Sequence, residues 1–241
     1  MSKLNLILLH GALGSKDQLA KLRALLDDNF TTYELNFSGH GGRELNGKEF
    51  TIDNFTNDVI NFMQEHQLEK SNFFGYSMGG YVALNLAKIH PEKAQRIFTL
   101  GTKLNWSPEV AQHEVKNLNP EKIEEKVPKF AMMLAKVHGP NNWKTAVQKT
   151  ASMMLGLGNG NALSLDDFQK INTPVKITVG NLDNMVTIEE SEKVTNILPN
   201  GELEIFEGFK HPIEQIDVEK LATYIKGFIY PRYTQIVEPS L

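Results

Sequence analysis

The chain of 241 residues contains no cysteine. That excludes disulfides, a thiolate nucleophile and any metal site built on sulfur. Arginine is nearly absent: Arg23, Arg43, Arg96 and Arg232 are the only four. Recognition of dianions leans on the guanidinium fork, so multi-carboxylate and phosphate substrates are disfavoured. Net charge is −4 with no long block of one sign, which argues against a nucleic-acid partner. No apolar run approaches the length that spans a bilayer, so no membrane partner is expected. The run Leu6-Ile7-Leu8-Leu9 ends in His10-Gly11 and not in a small-residue cleavage site. No signal peptide is read there, and a cytoplasmic protein is expected.

What is present is a regular alternation of short apolar runs with helical stretches. Residues 4–9, 32–37, 72–76, 96–100, 175–179 and 203–206 read as six strands. Helical patterns follow at 16–27, 52–66, 79–89 and 213–229. This order predicts a mostly parallel sheet with helices on both faces. One gap breaks it. Between the fourth and fifth strands the patterns at 109–117, 121–138 and 142–155 are all helical, followed by a glycine-rich stretch at 156–160 that reads as flexible. The expected organisation is a core of residues 1–102 and 171–230, a helical lid of residues 103–170, and a C-terminal tail of residues 231–241.

In an open parallel sheet, ligands bind beyond the carboxyl ends of the strands where the winding reverses. The first strand is followed by His10-Gly11-Ala12-Leu13-Gly14, and the third by Gly75-Tyr76-Ser77-Met78-Gly79-Gly80. Asp183 follows the fifth and His211 the sixth. A G-x-S-x-G turn between a strand and a helix holds its serine in strained backbone with the hydroxyl presented outward. A hydroxyl, a carboxylate and an imidazole therefore emerge on one edge, in the order Ser, Asp, His.

With L-H-G-A-L-G at 9–14, S-G-H-G-G at 38–42, G-Y-S-M-G-G at 75–80, G-N-L-D-N-M-V at 180–186 and F-K-H-P at 209–212, the chain resembles the α/β-hydrolase fold superfamily over nearly its whole length. The resemblance implies a six-stranded α/β core in spatial order 2-1-3-4-5-6. It implies a triad of Ser77, Asp183 and His211 in a cofactor-free, metal-free serine hydrolase that cleaves a small or medium apolar acyl ester, or a thioester, of a small molecule through an acyl-enzyme. Backbone N–H groups of Ala12 and Met78 would hold the oxyanion. Where relatives show Asp-x-Pro before the Gly-His-Gly loop, this chain has Asn36-Phe37-Ser38.

The insertion holds half of the eight methionines, and Trp106, Met132, Met133, Trp143 and Met154 are the expected pocket residues. Methionine adapts to varied apolar groups. Lys103 is expected in solvent, His10 and His40 as structural loop residues, and His66, His90, His113 and His138 as solvated. Three other readings share the scaffold. One is a C–C bond hydrolase or lyase resembling the menaquinone-pathway synthase, whose relatives usually carry Arg where this chain has Tyr81. The others are a cofactor-free perhydrolase and a hydrolase-like receptor with little turnover. Nothing in the sequence selects an oligomeric state.

Overall fold

The computed structural model describes residues 3–45, 47 and 49–230. Its strands are β1 (Leu4–Leu9), β2 (Phe30–Glu34), β3 (Ser71–Tyr76), β4 (Ala94–Leu100), β5 (Val175–Gly180) and β6 (Gly201–Phe206). All neighbours pair in parallel, in the order β2-β1-β3-β4-β5-β6. The winding reverses between β1 and β3, so the loops leaving these two strands open onto one crevice.

The helices among the described residues are α1 (Ala20–Leu26), α2 (Ile52–Glu65), α3 (Met78–Ile89), α4 (Pro108–Val115), α5 (Pro120–Lys126), α6 (Pro128–His138), α7 (Trp143–Gly156), α8 (Leu165–Gln169), α9 (Ile188–Thr195) and α10 (Val218–Ile229). Side chains alternate across the sheet, and both faces are covered, which is why β1 reads as an unbroken apolar run. Leu6 and Leu8 join Phe74 and Phe98 under α1 and α10. Ile7 and Leu9 join Phe73 and Ile97 under α2 and α3. Thr51 caps α2 by accepting the Asn54 N–H, a contact generally worth about 1 kcal/mol.

Several boundaries differ from the sequence expectation. The second strand occupies Phe30–Glu34 and not 32–37. Residues 35–37 leave the sheet because Asn36 is held in a loop, accepting the Lys16 N–H and donating to the Gly41 carbonyl. The helix expected over 121–138 is two helices, broken where Pro128 forces Val127 to φ −136°. The glycine-rich stretch at 156–160 continues α7 as a wide turn, and Leu157 and Gly158 are buried in it. Gly158 lies so close to α4 that a Cβ there would come 2.5 Å from the Ala111 Cβ. The short helix α8, capped at Ser164, is an element that the sequence reading missed. The tail expected at 231–241 lies outside the described residues.

The segment between β4 and β5 is helical and divides its apolar residues between two places. Ala146, Met153, Leu157 and Phe168 join the main core. Ile123, Ala131, Leu134, Trp143 and Val147 form a small core of their own.

Candidate active site

Ser77 follows β3 at φ +50° and ψ −117°. A side chain in this region is strained and persists only when its surroundings enforce it. Here the enforcement is close backbone approach. A Cβ on Gly75 would come 2.4 Å from Gly80, and one on Gly79 2.3 Å from the Leu9 carbonyl oxygen. The glycines let α3 start directly against β1 and β3, and Ser77 is left at the apex of the turn.

Asp183 and His211 leave β5 and β6 and meet at hydrogen-bond distance. His211 Nδ1–H donates to Asp183 Oδ2 at 2.8 Å. The other carboxylate oxygen, Oδ1, accepts the N–H groups of Met185 at 2.8 Å and Val186 at 2.9 Å. Burial alone would raise the Asp183 pKa, but the bond and charge of His211 and the two backbone donors together lower it. The carboxylate therefore stays ionised and fixes the imidazole with Nδ1 protonated. Tyr76 donates its hydroxyl to the His211 carbonyl at 3.0 Å and steadies that loop. Gly101 ends β4 beside the pair. A Cβ there would lie 3.2 Å from Asp183 Oδ2 and 3.3 Å from His211 Nδ1, and φ at this residue is +58°. This glycine was not singled out in the sequence; its signal is its place at the carboxyl end of a central strand.

Ser77, His211, Ala12 and Met78 line one cavity. The backbone N–H groups of Ala12 and Met78 have no acceptor among the described residues. The cavity volume is about 40 Å3, where one water needs about 10–15 Å3. Trp106 and Met154 line it, together with Ile52, Tyr81, Met153 and Leu157. Three of the expected pocket residues lie elsewhere. Met132 and Met133 are 65% and 44% exposed, because α6 turns Ala131, Leu134 and His138 inward instead. Trp143 is 4% exposed and fills the insertion's own small core.

Lys103 also lines the cavity, and it is not in solvent. Its Nζ lies 3.3 Å from Glu114 Oε1 and 3.9 Å from Glu190 Oε2, and donates to the Met185 carbonyl at 2.6 Å. Glu190 is fixed in turn by the Leu104 N–H and by capping α9 through Thr187. The lysine charge is thus already met by two carboxylates.

Three buried histidines hold the loop that carries Ala12. His10 Nδ1–H donates to the Gly11 carbonyl at 2.8 Å, and its Nε2 accepts the Phe37 N–H at 3.2 Å. His40 stands between the rings of His10 and His138, with centroids at 5.3 and 5.6 Å. His138 is 1% exposed, contrary to the solvated position expected from sequence. Its Nε2–H donates to the Leu13 carbonyl at 3.0 Å and its Nδ1 accepts the Gly41 N–H at 3.2 Å. Leu13 itself sits at φ +55°. Burial lowers the pKa of all three, that of His10 to about 4, so the trio is neutral near pH 7.

Among the described residues no cluster of three His, Asp or Glu side chains has the geometry to hold a metal ion. No helix among them is long and apolar enough to cross a membrane.

The fold and the arrangement of the loops are those of a large family. Residues 5–150 match the family model described as alpha/beta hydrolase fold, and the chain belongs to that family. Within it, the chain is 22% identical over 245 aligned residues to a Haemophilus influenzae protein named as an esterase/lipase, covering 93% of this chain and 82% of that one. It is 35% identical over 106 residues to a Cyberlindnera fabianii protein named as a probable alcohol acetyltransferase. That match covers 43% of this chain and only 29% of the relative's length. Among solved structures, an esterase from Thermogutta terrifontis superposes with a TM-score of 0.77 at 20% identity, over 95% of this chain and 90% of that one; at that identity the likeness is one of fold.

Proposed function

We propose that this protein is a serine hydrolase that cleaves a small-molecule ester or thioester of a small or medium apolar acyl group. The observation that carries the reading is the meeting, at one apolar cavity, of a strained serine, a carboxylate-bound imidazole and two unpaired backbone donors. Ser77 Oγ attacks the acyl carbonyl while His211 Nε2 takes its proton. The oxyanion is held by the N–H groups of Ala12 and Met78, each such donor being worth about 3–4 kcal/mol in the transition state. Asp183 keeps Nδ1 protonated and stabilises the imidazolium. His211 then protonates the leaving alcohol or thiol. Water, activated by the same imidazole, releases the acid from the acyl-enzyme.

The small cavity favours acetyl to butyryl groups. The helical insertion acts as the lid over it. With Lys103 paired, the cavity lining offers no free lysine or arginine among the described residues for an anionic acyl group. The C–C bond reading is not favoured, because Tyr81 occupies the place where that enzyme group usually carries arginine. Its hydroxyl is bound instead to the Leu163 N–H at 2.7 Å. A second acceptor is favoured by the alcohol acetyltransferase among the relatives: an alcohol entering in place of water would take the acyl group as a new ester.

The test is hydrolysis of p-nitrophenyl esters from acetyl to dodecanoyl, with Ser77→Ala as the blank and ethanol added in a parallel series. Turnover that vanishes in Ser77→Ala and is fastest for short acyl groups is expected. Absence of turnover above the blank at every length sinks the hydrolase reading, and ethyl ester in the ethanol series establishes transfer.

A further inference from the structure

Four side chains, Ile52, Tyr81, Met153 and Leu157, line the catalytic cavity and also a second cavity beside it. These four shared residues lie between the two cavities. The second chamber is far larger, about 400 Å3, and opens to solvent past the exposed residues Glu49, Asp53, Ser152 and Asn161. It lies between the start of α2, the middle of α3 and the end of α7.

Three of the four wall residues are fixed. The Tyr81 hydroxyl accepts the Leu163 N–H. Ile52 is β-branched and sits in the first turn of α2 behind its Thr51 cap. Leu157 precedes Gly158, whose backbone is jammed against Ala111 and Ser107. Met153 has no such restraint. It is unbranched, with three rotatable bonds and no polar tether, so although packed in the core it is the most adaptable of the four.

The far chamber differs in chemistry as well as size. Its polar lining includes Glu49, Asp53, Asn85, Ser152 and Asn161, and no lysine, arginine or histidine among the described residues. The Asn85 amide donates to Asp53 Oδ1 and Thr56 Oγ1, both at 3.0 Å. Glu49 is paired with Lys149, whereas Asp53 has no cationic partner among the described residues. What the lining offers is mainly hydrogen-bond acceptors and negative charge. Such a lining disfavours a carboxylate or phosphate and offers acceptors to a hydroxyl.

We infer that the second chamber is the distal part of the substrate site, entered when Met153 swings aside, and that it takes the end of a medium-length acyl chain bearing a hydroxyl group. The inference rests on the acyl-ester reading above and extends it. Met153 is then the residue that sets acyl-chain length, and Asp53 the residue that selects the polar end.

The experiment compares p-nitrophenyl acetate, hexanoate, ω-hydroxyhexanoate and monoadipate in wild type, Met153→Ala, Met153→Val and Asp53→Asn. Thermal melts check that each variant folds, and the smaller change to Val serves if Ala does not. Shortening Met153 is expected to raise the hexanoyl-to-acetyl ratio of kcat/KM by about tenfold. ω-Hydroxyhexanoate is expected to exceed monoadipate by about tenfold in wild type, with the margin narrowing in Asp53→Asn. An unchanged hexanoyl-to-acetyl ratio in a folded Met153 variant, while wild type still cleaves acetate, overturns the chamber and leaves the hydrolase standing. Equal rates on hydroxyl and carboxyl ends overturn the assigned chemistry. No cleavage of any ester by wild type overturns the hydrolase reading and this inference together.

Discussion

The carboxyl edge of the sheet and the helical insertion above it hold their functional residues by different means. At the edge, backbone does the holding. Ser77 is forced into place by glycines packed against strands, and Asp183 accepts two main-chain N–H groups besides the imidazole. In the insertion, apolar side chains do it: Trp106, Met153, Met154 and Leu157 line the cavity through packing. His138 adds one polar tether to the loop of Ala12. Backbone geometry is rigid and specific, whereas side-chain packing tolerates exchange. The reaction is therefore expected to be set by the edge, and the choice of substrate by the insertion.

The sharpest test of that division is Asp183→Asn. The change keeps the shape of the side chain but favours the wrong imidazole tautomer, and kcat is expected to fall by about 10³–10⁴-fold. The thermal melt should change much less than the rate. A comparable loss of kcat from any apolar substitution in the insertion would break the comparison.

The next effect is on stability. Gly79→Ala drives a Cβ into the Leu9 carbonyl oxygen, backbone against backbone, with no flexible atom to yield. A loss of about 3 kcal/mol or more is expected in denaturant unfolding. Gly160 in the insertion offers a contrast. It has open space around its Cα but φ +102°, so Gly160→Ala meets only backbone strain, about 1 kcal/mol.

These two cases show why the sequence was legible in one region and less so in the other. The edge chemistry follows from loops whose spacing is dictated by strand ends: G-Y-S-M-G-G, Asp183 and His211 could be read in order, βα alternation pointed to a parallel sheet, and the strand order came from the family resemblance. The insertion's pattern is helical, but helical period alone does not say which neighbour each face meets. Met132 and Met133 were expected in the pocket on composition. The spacing of Ala131, Leu134 and His138, at i, i+3 and i+7, marked the buried face of α6 and would have corrected this. What His138 bonds to on that face has no such local signal. Its partners, Leu13 and Gly41, lie 125 and 97 residues away.

That tether joins the two regions, and pH probes it. His10, His40 and His138 all have folded pKa values below the ordinary 6.5. As pH falls through 6.5 the unfolded chain takes up protons that the folded one refuses, so stability is lost. The loss continues down to the folded values, about 4 for His10; a shift of that size corresponds to about 3 kcal/mol. Asp183 adds to the loss only at still lower pH. Melting temperature is expected to be level above pH 7 and to fall between 6.5 and 4. In His138→Gln, whose amide can still donate to the Leu13 carbonyl, one titrating group is gone, and the fall should be shallower. An unchanged slope would show that His138 does not contribute to it.

The smallest effects belong to the two faces of the insertion. Met132→Gln and Met133→Gln alter exposed side chains on the outer side of α6, so unfolding free energy should stay within about 0.5 kcal/mol and ester kinetics should not change. Trp106→Phe is the inward counterpart. The phenyl ring keeps most of the apolar surface that faces the cavity but removes the indole Nε1–H, which is buried without an acceptor among the described residues. Deleting a buried donor that has no partner relieves a desolvation cost, so stability is expected to hold or rise slightly. The smaller ring widens the cavity, so KM for acetyl esters should rise a fewfold while kcat stays near its wild-type value. If kcat fell instead with KM unchanged, Trp106 would be acting in the transition state, and the division between a catalytic edge and a substrate-selecting insertion would have to be redrawn at this residue.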